Sequence, residues 1–476
     1  MYIAEVLYQY RDSDKLAIKG KSNVSYRELN RKCIQISQIL QDNISDNIAI
    51  LIPNSEEYLV AYFGVLYSKN KCILLNVDLT ETEILNILQS GHVSKLISIS
   101  KYKSKLELIS QLFPVVFVDQ IKFNENMQFS EIDFSDMNEE DETLIFPTSG
   151  TTGISKLVKI STRNLMINLN ALKKIYRVND TNCELIVLPL YSSFSNIVML
   201  NCINSQATLV LYHGMFSARG FLNTILENNV TYCSLVPSLV KLIASSNLSS
   251  DVANSSLKRI TFGGEKMSIE DFQMAKENLH PIVLFYGYGM TETGPLISTK
   301  TYEDWDTRYA SVGRPIDGVE IKIVDENRNT LDTGETGSVL VKGQNITSGY
   351  INVECQIVEN GWLDTGDIGM VDNDGYIYIY GRKKNIIISG GKNIFPEEIE
   401  EVLLRMDMIQ EARVYSEDDP FMGESVAAEI VSMDKEVDTQ TIYQFCKNYL
   451  ADYKLPQKIY IVDCIEKTST NKIKRN

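Results

Sequence analysis

Short apolar runs alternate along the chain with longer segments in which apolar residues recur at helical spacing. One helical segment follows Ser25, with Glu28 three residues later at the spacing of a capping box. The apolar run NIAILIP from Asn47 then has the character of a strand and ends at Pro53. The same order recurs in EEYLVAYFGVLYS before KCILLNV and in TETEILNILQSG before SKLISIS. This alternation predicts an α/β architecture.

The pattern changes in the last third of the chain. VEIKIVDENRNTLDTGETGSVLVKG alternates strand-like runs with turn residues, which predicts an antiparallel or barrel-like part. After the basic cluster Arg382-Lys383-Lys384, PEEIEEVLLRM indicates a helix that starts at Pro396. EARVYSEDD and SVAAEIV then indicate strands, and TIYQFCKNYLA a second helix. We therefore expect a large domain over residues 1–380 and a small domain over residues 381–476.

Composition narrows the class of protein without identifying it. The chain has 476 residues, 44% of them hydrophobic and 23% charged, which is typical of a soluble globular protein of more than one domain. A net charge of −16 argues against nucleic acid and against anionic membranes as partners. The start of the chain lacks the pattern of a signal peptide, and Leu185–Leu200 is too polar for a transmembrane segment. Scattered cysteines without CxxC spacing predict free thiols, and a cytoplasmic location is expected.

The strongest local candidate for chemistry is TSGTTGISK, Thr148–Lys156. Glycines allow a tight turn with exposed N–H groups, and the hydroxyls and the lysine add donors, as a polyphosphate requires. A surface turn is the alternative interpretation. The segment does not match GxxxxGK[ST], and GYGMTETG does not supply GxGxxG, so neither a Walker A loop nor a dinucleotide fold is indicated.

Further motifs follow this segment in a fixed order. They are FGGEKM from Phe262, YGYGMTETG from Tyr286, SVGRPIDGVEIKIVDE from Ser311, GWLDTGDIG from Gly361, GRKKNIIISGGKNIFPEEIE from Gly381 and TSTNKIKR from Thr468. Together the series resembles the adenylate-forming superfamily of acyl-CoA synthetases, peptide-synthetase adenylation domains and luciferases, from about residue 25 to the end. The resemblance implies a large N-terminal domain with α/β layers and a small β-barrel-like part. It also implies a small, mobile α+β C-terminal domain with its hinge near Lys384.

The activity that this resemblance implies has two half-reactions. ATP and a carboxylic acid form acyl-AMP and pyrophosphate with Mg²⁺, and the acyl group then passes to a thiol. The motifs are most similar to those of acyl-CoA synthetases, so CoA is the expected acceptor. A stand-alone enzyme that loads the phosphopantetheine of a carrier protein is the first alternative. A non-catalytic nucleotide-binding paralogue is an alternative of another class.

The resemblance also assigns roles to individual residues. Lys472 would bridge the substrate carboxylate and the α-phosphate, and Thr291 would contact that phosphate. Glu292, with Thr148, would bind Mg²⁺. The residues expected to bind ATP or AMP are Thr148, Ser149, Gly150, Thr151, Thr152, Gly153, Lys156, Gly264, Glu265, Tyr286, Gly287, Tyr288, Gly289, Met290, Thr291, Asp367, Arg382 and Lys472.

Within that set, Tyr288 would stack on adenine, and Asp367 and Arg382 would contact the ribose. Gly390 and Gly391 resemble residues that line the approach of the thiol.

Three positions depart from the family pattern. Asn471 stands where glycine is usual, Tyr286 where glutamine or asparagine is frequent, and Ser192 where a histidine often acts as a gate. The expected acyl pocket contains Ser192, Phe194, Val236 and Phe262, which could equally be core residues. No aspartate lies between Asp180 and Asp251, so an α-amino acid is disfavoured because its ammonium group would lack a partner. We expect an uncharged acyl or aryl tail, with the acid and the oligomeric state left open.

Overall fold

The fold is taken from a computed structural model of the chain. The structure describes residues 1–21, 23–40, 46–124, 131–148, 155–265, 267–300, 308–351, 353, 358–389, 392–433 and 437–467.

The helices follow the apolar periodicity of the sequence. They are α1 (Glu5–Tyr8), α2 (Tyr26–Ile39), α3 (Glu56–Tyr67), α4 (Glu81–Ser90), α5 (Ile109–Leu112), α6 (Thr162–Tyr176), α7 (Ser193–Asn204), α8 (Ala218–Asn228), α9 (Pro237–Ala244), α10 (Ser249–Ala253), α11 (Ile269–Asn278), α12 (Pro396–Leu404) and α13 (Thr439–Lys447). The predicted capping box is present at α2, where Ser25 Oγ accepts from Glu28 N and Ser25 N donates to Glu28 Oε2. None of the helices in the described ranges has the length and apolar character that a membrane span requires.

A six-stranded sheet occupies the N-terminal part of the chain. The first strands are β1 (Leu16–Lys19), β2 (Val24–Ser25), β3 (Asn47–Leu51), β4 (Lys71–Leu74), β5 (Val93–Ser98), β6 (Val115–Phe117), β7 (Glu142–Thr148) and β8 (Lys156–Ser161). Strands β3 to β8 form this sheet in the order β6-β5-β3-β4-β7-β8, and every pair is parallel except the antiparallel pair β7-β8. The predicted phosphate segment is therefore the connection of a hairpin.

The largest sheet of the described residues has nine strands. Its further strands are β9 (Cys183–Ile186), β10 (Thr208–Leu211), β11 (Tyr232–Leu235), β12 (Arg259–Gly263), β13 (Val283–Tyr288), β14 (Ser298–Lys300) and β15 (Arg314–Pro315). The order is β15-β14-β13-β12-β11-β9-β10-β1-β2, and the strands from β13 to β1 in this order are parallel. Their carboxyl ends share one edge, where open α/β sheets bind ligands.

Two antiparallel units complete the fold. The first contains β16 (Val319–Val324), β17 (Gly337–Gly343), β18 (Val358–Glu359), β19 (Trp362–Val371) and β20 (Ile377–Arg382). The second contains β21 (Ile387–Ser389), β22 (Lys392–Ile394), β23 (Ile409–Asp419), β24 (Gly423–Ser432) and β25 (Lys458–Ile461), with α12 and α13 packed on it. The α/β class, the antiparallel part and the α+β C-terminal part predicted from the sequence are confirmed.

The C-terminal unit has a hydrophobic core of its own. Ile399, Leu403, Val414, Ile430 and Ile442 are buried together there, separate from the cores of the other sheets. The chain enters this unit between the end of β20 and the start of β21, through a single 3₁₀ turn at Lys383–Asn385. This turn contains Lys384, the residue at which the sequence predicts a hinge.

Candidate active site

The ends of β12 and β13 bring two of the sequence motifs side by side. Gly264 and Glu265 follow β12, and Gly289 and Met290 follow β13, at the carboxyl edge of the nine-stranded sheet. A cavity of about 700 Å³ opens at this edge. Its walls include Gly264, Tyr286, Tyr288, Asp367, Arg382 and Glu397. The predicted nucleotide-binding residues that line it come from two different sheets, the nine-stranded sheet and the sheet of β16 to β20, so the tertiary fold assembles the site.

Asp367 lies at the centre of the hydrogen bonding in this cavity. Its side chain is 6% exposed, and it accepts a hydrogen bond from Tyr288 Oη at 2.5 Å. Arg382 Nε lies 2.9 Å from the other carboxylate oxygen of Asp367, and Arg382 Nη1 donates to Thr365 O at 2.7 Å. Burial raises the pKa of Asp367, while the adjacent Arg382 acts in the opposite direction. The result is a buried carboxylate that faces two donors and could accept from a vicinal diol.

The antiparallel register of β19 and β20 explains the pairing of these residues. Asp367 and Arg382 are direct cross-strand partners, so their side chains emerge on the same face of the sheet. In the nine-stranded sheet, Tyr286 Oη on β13 donates to Glu265 O after β12 at 2.8 Å. This hydrogen bond joins the YGYGMTETG and FGGEKM motifs. Tyr286, a departure from the family pattern, therefore has a structural partner within the site.

Two glycines allow the strand ends to approach each other. A Cβ atom on Gly289 would lie 1.9 Å from Pro295 O, and one on Gly263 would lie 2.3 Å from Gly287 O. Both obstacles are backbone atoms, which cannot rotate away as a side chain can. The close packing of the YGYGMTETG segment therefore requires glycine at these positions.

The turn Thr291–Thr293 contains Thr291, predicted to contact the α-phosphate, and Glu292, predicted to bind Mg²⁺. Two buried side-chain amides hold this turn in place. Thr293 O accepts from Asn168 Nδ2 at 3.1 Å and from Asn345 Nδ2 at 3.0 Å. Both asparagines have no exposed surface, and Asn168 Oδ1 also accepts from Leu296 N at 3.1 Å. These supporting residues were not identified from the sequence. The available signal was a pair of asparagines, Asn164 and Asn168, at apolar-face spacing in α6.

A chain of contacts joins the β7-β8 hairpin to the same turn. Thr148 Oγ1 donates to Lys156 O at 3.3 Å, and these residues are partners across the hairpin. Lys156 Nζ lies 5.2 Å from the centre of the Tyr350 ring, and Tyr350 Oη donates to Glu292 Oε1 at 3.0 Å. Tyr350 was also absent from the sequence prediction, because it lies in no recognisable motif.

Glu292 has the chemistry expected of a ligand to Mg²⁺. Its carboxylate is partly exposed and lies, through Tyr350, beside the hairpin that carries Thr148 and Lys156. The described residues contain no group of three or more His, Cys, Asp or Glu side chains able to hold a metal ion. Proteins commonly bind Mg²⁺ with one or two carboxylates together with substrate phosphates. A single glutamate beside the hairpin that is predicted to bind phosphate is consistent with that mode.

The positions of the four predicted acyl-pocket residues do not define a pocket. Ser192 Oγ accepts from Ser195 N at 3.3 Å and donates to Pro189 O at 2.9 Å, so it caps α7. Phe262 is fully buried against the rings of Phe272 and Tyr286. Phe194 and Val236 are partly buried, and none of the four predicted acyl-pocket residues lines the 700 Å³ cavity. The acyl pocket therefore remains a prediction.

The structure does not describe every predicted residue. Those outside the described ranges are Ser149, Gly150, Thr151, Thr152, Gly153, Gly390, Gly391 and Lys472. Lys384 is described and is exposed in the turn between β20 and β21.

The fold and the nucleotide site together define an AMP-forming acid–thiol ligase. The family model for the AMP-binding enzyme matches residues 6–351, and the model for the AMP-binding enzyme C-terminal domain matches residues 398–472. The chain belongs to this family of AMP-binding enzymes, as the motif series indicated.

Named relatives agree with this class. The 2-succinylbenzoate–CoA ligase of Bacillus subtilis is 31% identical over 90% of this chain and 87% of its own length. The long-chain-fatty-acid–CoA ligase of Salmonella typhimurium is 26% identical over 98% of this chain and 91% of its own length. The o-succinylbenzoate CoA synthetase of Bacillus subtilis, solved with the acyl-adenylate intermediate OSB-AMP, has a TM-score of 0.89 at 28% identity. That structure covers 99% of this chain, and this chain covers 96% of it.

Proposed function

We propose that the protein joins a carboxylic acid to CoA through an acyl-adenylate. In the first half-reaction a carboxylate oxygen bonds to the α-phosphorus of ATP, and the bond to the bridging oxygen of pyrophosphate breaks. In the second, the CoA thiol gives up its proton to solvent, its sulfur bonds to the acyl carbon, the bond from that carbon to the AMP oxygen breaks, and AMP leaves. The observation that carries this proposal is the assembly, at one sheet edge, of Asp367 and Arg382 with the turn that bears Thr291 and Glu292.

The first half-reaction requires charge neutralisation and positioning more than a proton acceptor. The substrate carboxylate is already ionised, and pyrophosphate is a good leaving group. Asp367 would accept hydrogen bonds from the ribose hydroxyls, Tyr288 would pack against adenine, and Thr291 would donate to the α-phosphate. Lys156 would neutralise the outer phosphates. A Mg²⁺ ion held by Glu292 would supply further neutralisation of phosphate charge.

The second half-reaction would depend on the C-terminal unit. We propose that residues 381–476 rotate about Lys384 relative to the adenylation core of residues 1–380. Lys472 would serve adenylation, and Gly390 and Gly391 would line the path of the thiol. The narrow connection at Lys383–Asn385 and the separate hydrophobic core of the unit support a movement of this kind.

The choice of acid is narrowed by the charges between Asp180 and Asp251. This interval contains two glutamates and no aspartate. Glu184 is buried and lies 3.4 Å from Arg259, and Glu227 is exposed on α8. Neither is placed to receive the ammonium group of an amino acid. We therefore propose an acyl or aryl acid, with 2-succinylbenzoate and long-chain fatty acids tested first because relatives are named for them.

The test is acid-dependent exchange of labelled pyrophosphate into ATP, followed by mass spectrometry of the CoA products, over a panel of aryl, fatty and amino acids. We expect exchange and an acyl-CoA product with at least one aryl or fatty acid. If a carrier protein were acylated and no acyl-CoA formed, the acceptor would be the phosphopantetheine of the carrier protein and not CoA. Binding of AMP without exchange for any acid would contradict the proposed activity.

A further inference from the structure

Two hydroxyl groups from distant parts of the chain meet at the catalytic turn. Ser193 is the first residue of α7, and Thr291 is the first residue of the turn that follows β13. Their hydroxyl oxygens lie 3.2 Å apart although the residues are 98 positions apart in sequence, and both side chains are partly buried. The contact brings the start of α7 directly against the residue assigned to the α-phosphate.

Ser193 is distinguished from its neighbours by what its hydroxyl contacts. Ser192 Oγ is occupied as the cap of α7, since it accepts from Ser195 N and donates to Pro189 O. Phe194 carries no polar side-chain atom. Ser195 is 2% exposed, and its hydroxyl has no hydrogen-bond partner among the described residues. Ser193 is thus the residue of this first turn whose hydroxyl faces Thr291.

We propose that Ser193 contacts substrate directly, and that Ser193 and Thr291 together donate hydrogen bonds to one non-bridging oxygen of the α-phosphate. This inference rests on the proposed function, which places Thr291 at that phosphate. Between two hydroxyls alone, one hydrogen bond forms and the second hydrogen is not used in the pair. An anionic oxygen at about 2.7 Å from both would accept both hydrogens, and hydrogen bonds to a charged acceptor are the stronger kind.

The geometry permits such a shared acceptor. Hydroxyl oxygens 3.2 Å apart can both reach a single oxygen without any movement of the backbone. The amides of Asn168 and Asn345 hold the Thr291–Thr293 turn, and the Ser192 cap fixes the start of α7. Both donors therefore stand on supported elements, as preorganised donors to a reacting phosphate should.

The experiment compares the binding of AMP and adenosine by calorimetry, because the two ligands differ by the phosphate alone. For Ser193→Ala we expect about a tenfold loss of AMP affinity and unchanged adenosine affinity, the size of a lost hydrogen bond to a charged group. Ser193→Thr keeps a hydroxyl and should retain the AMP affinity. Ser205→Ala is the matched control, since it removes a serine hydroxyl at the other end of α7 that has no hydrogen-bond partner in the described part of the chain. This variant should bind both ligands as the unmodified protein does.

Unchanged AMP affinity in Ser193→Ala would overturn the inference, and so would an equal loss for AMP and adenosine, which would mean that the substitution disturbs the whole site. A Thr291→Ala variant and the double variant test the shared acceptor. The loss in the double variant should be larger than the product of the two single losses, because in each single variant the remaining hydroxyl still donates to the shared oxygen, whereas a loss equal to the product would mean separate acceptors. These measurements need no carboxylic acid, so they stand even where every acid fails in the exchange assay and the proposed function fails with it.

Discussion

Asp367 illustrates how a buried carboxylate can remain useful for binding. Burial disfavours its charged form, and Arg382 at 2.9 Å and the Tyr288 hydroxyl at 2.5 Å compensate for the lost water. A nucleoside would bring two further hydroxyl donors to the same carboxylate. The residue is therefore expected to matter more for ligand binding than for folding.

We predict that Asp367→Asn weakens adenosine binding by about ten- to a hundredfold, the range for a lost hydrogen bond to a charged group. Asparagine keeps the shape of the side chain but removes the charge that Arg382 and the ribose would share. Calorimetric titration with adenosine measures the change. Asp364→Asn is the control on the same strand, because asparagine can still accept from Gly366 N as Asp364 does. Equal weakening in both variants would contradict a specific role for Asp367.

The pH dependence of adenosine binding follows from the raised pKa of Asp367. The ionised form is the acceptor, so affinity should be complete above this pKa and should fall as the pH drops through it. The midpoint should lie above that of an ordinary aspartate. Arg382 favours the ionised form, so Arg382→Ala should move the midpoint to still higher pH. A midpoint at or below the ordinary aspartate value would contradict the expected burial.

At this scale the sequence could indicate Asp367, Arg382, Tyr288 and Glu292 because each lies in a motif with a recognisable order. It could not indicate Tyr350, which reaches Glu292 only because an isolated bridge sets Val158 opposite Tyr350. Such a contact depends on the approach of two segments that are far apart in sequence, and no local sequence pattern predicts it.

Helix α6 positions parts of the candidate site through two polar residues on its buried face, which its apolar periodicity does not predict. Asn164 and Asn168 are spaced one turn apart on its buried face. Asn164 Nδ2 donates to Gln344 O and Ile346 O, and Asn168 Nδ2 to Thr293 O. The helix therefore fixes the loop that carries Asn345 as well as the Thr291–Thr293 turn. The helices and strands that periodicity predicted are present in the structure, but periodicity did not predict which elements would meet across the site.

We predict that Asn168→Leu destabilises the protein by about 1–3 kcal/mol, because Leu296 N loses its acceptor inside the protein. It should also lower the rate of pyrophosphate exchange per folded molecule, since the Thr291–Thr293 turn loses one of its two amide supports. Thermal unfolding and exchange assays measure the two effects.

Asn70→Leu is the matched control for this variant. Asn70 is 1% exposed, accepts from Asp46 N and donates to Leu40 O. It lies just before β4 of the six-stranded sheet, whereas the turn follows β13 of the nine-stranded sheet. We expect a comparable loss of stability with an unchanged exchange rate per folded molecule. An exchange rate lowered equally in both variants would show that general destabilisation, not the support of the turn, is responsible.

For the whole molecule, the orientation of the C-terminal unit is held in part by an ion pair between Arg405 and Glu270. The distance from Arg405 Nε to Glu270 Oε1 is 3.2 Å, and the Glu270 side chain is 51% exposed. An ion pair this exposed contributes about 0–1 kcal/mol. Since a factor of ten requires about 1.4 kcal/mol, we predict that Arg405→Ala changes the ratio of the two half-reaction rates by less than about tenfold.

The strongest test of a rotating C-terminal unit separates the two half-reactions in one variant. If Lys472 serves adenylation and is withdrawn afterwards, Lys472→Ala should reduce acid-dependent pyrophosphate exchange by at least about a hundredfold, the scale for one lost electrostatic contact to the reacting group. The same variant, supplied with preformed acyl-AMP and CoA, should form acyl-CoA at close to the unmodified rate. Lys467→Ala is the control, because Lys467 pairs with Glu411 on the same unit without a proposed part in either step. Equal loss of both half-reactions in Lys472→Ala would mean that one arrangement serves both, and that rotation about Lys384 is not required.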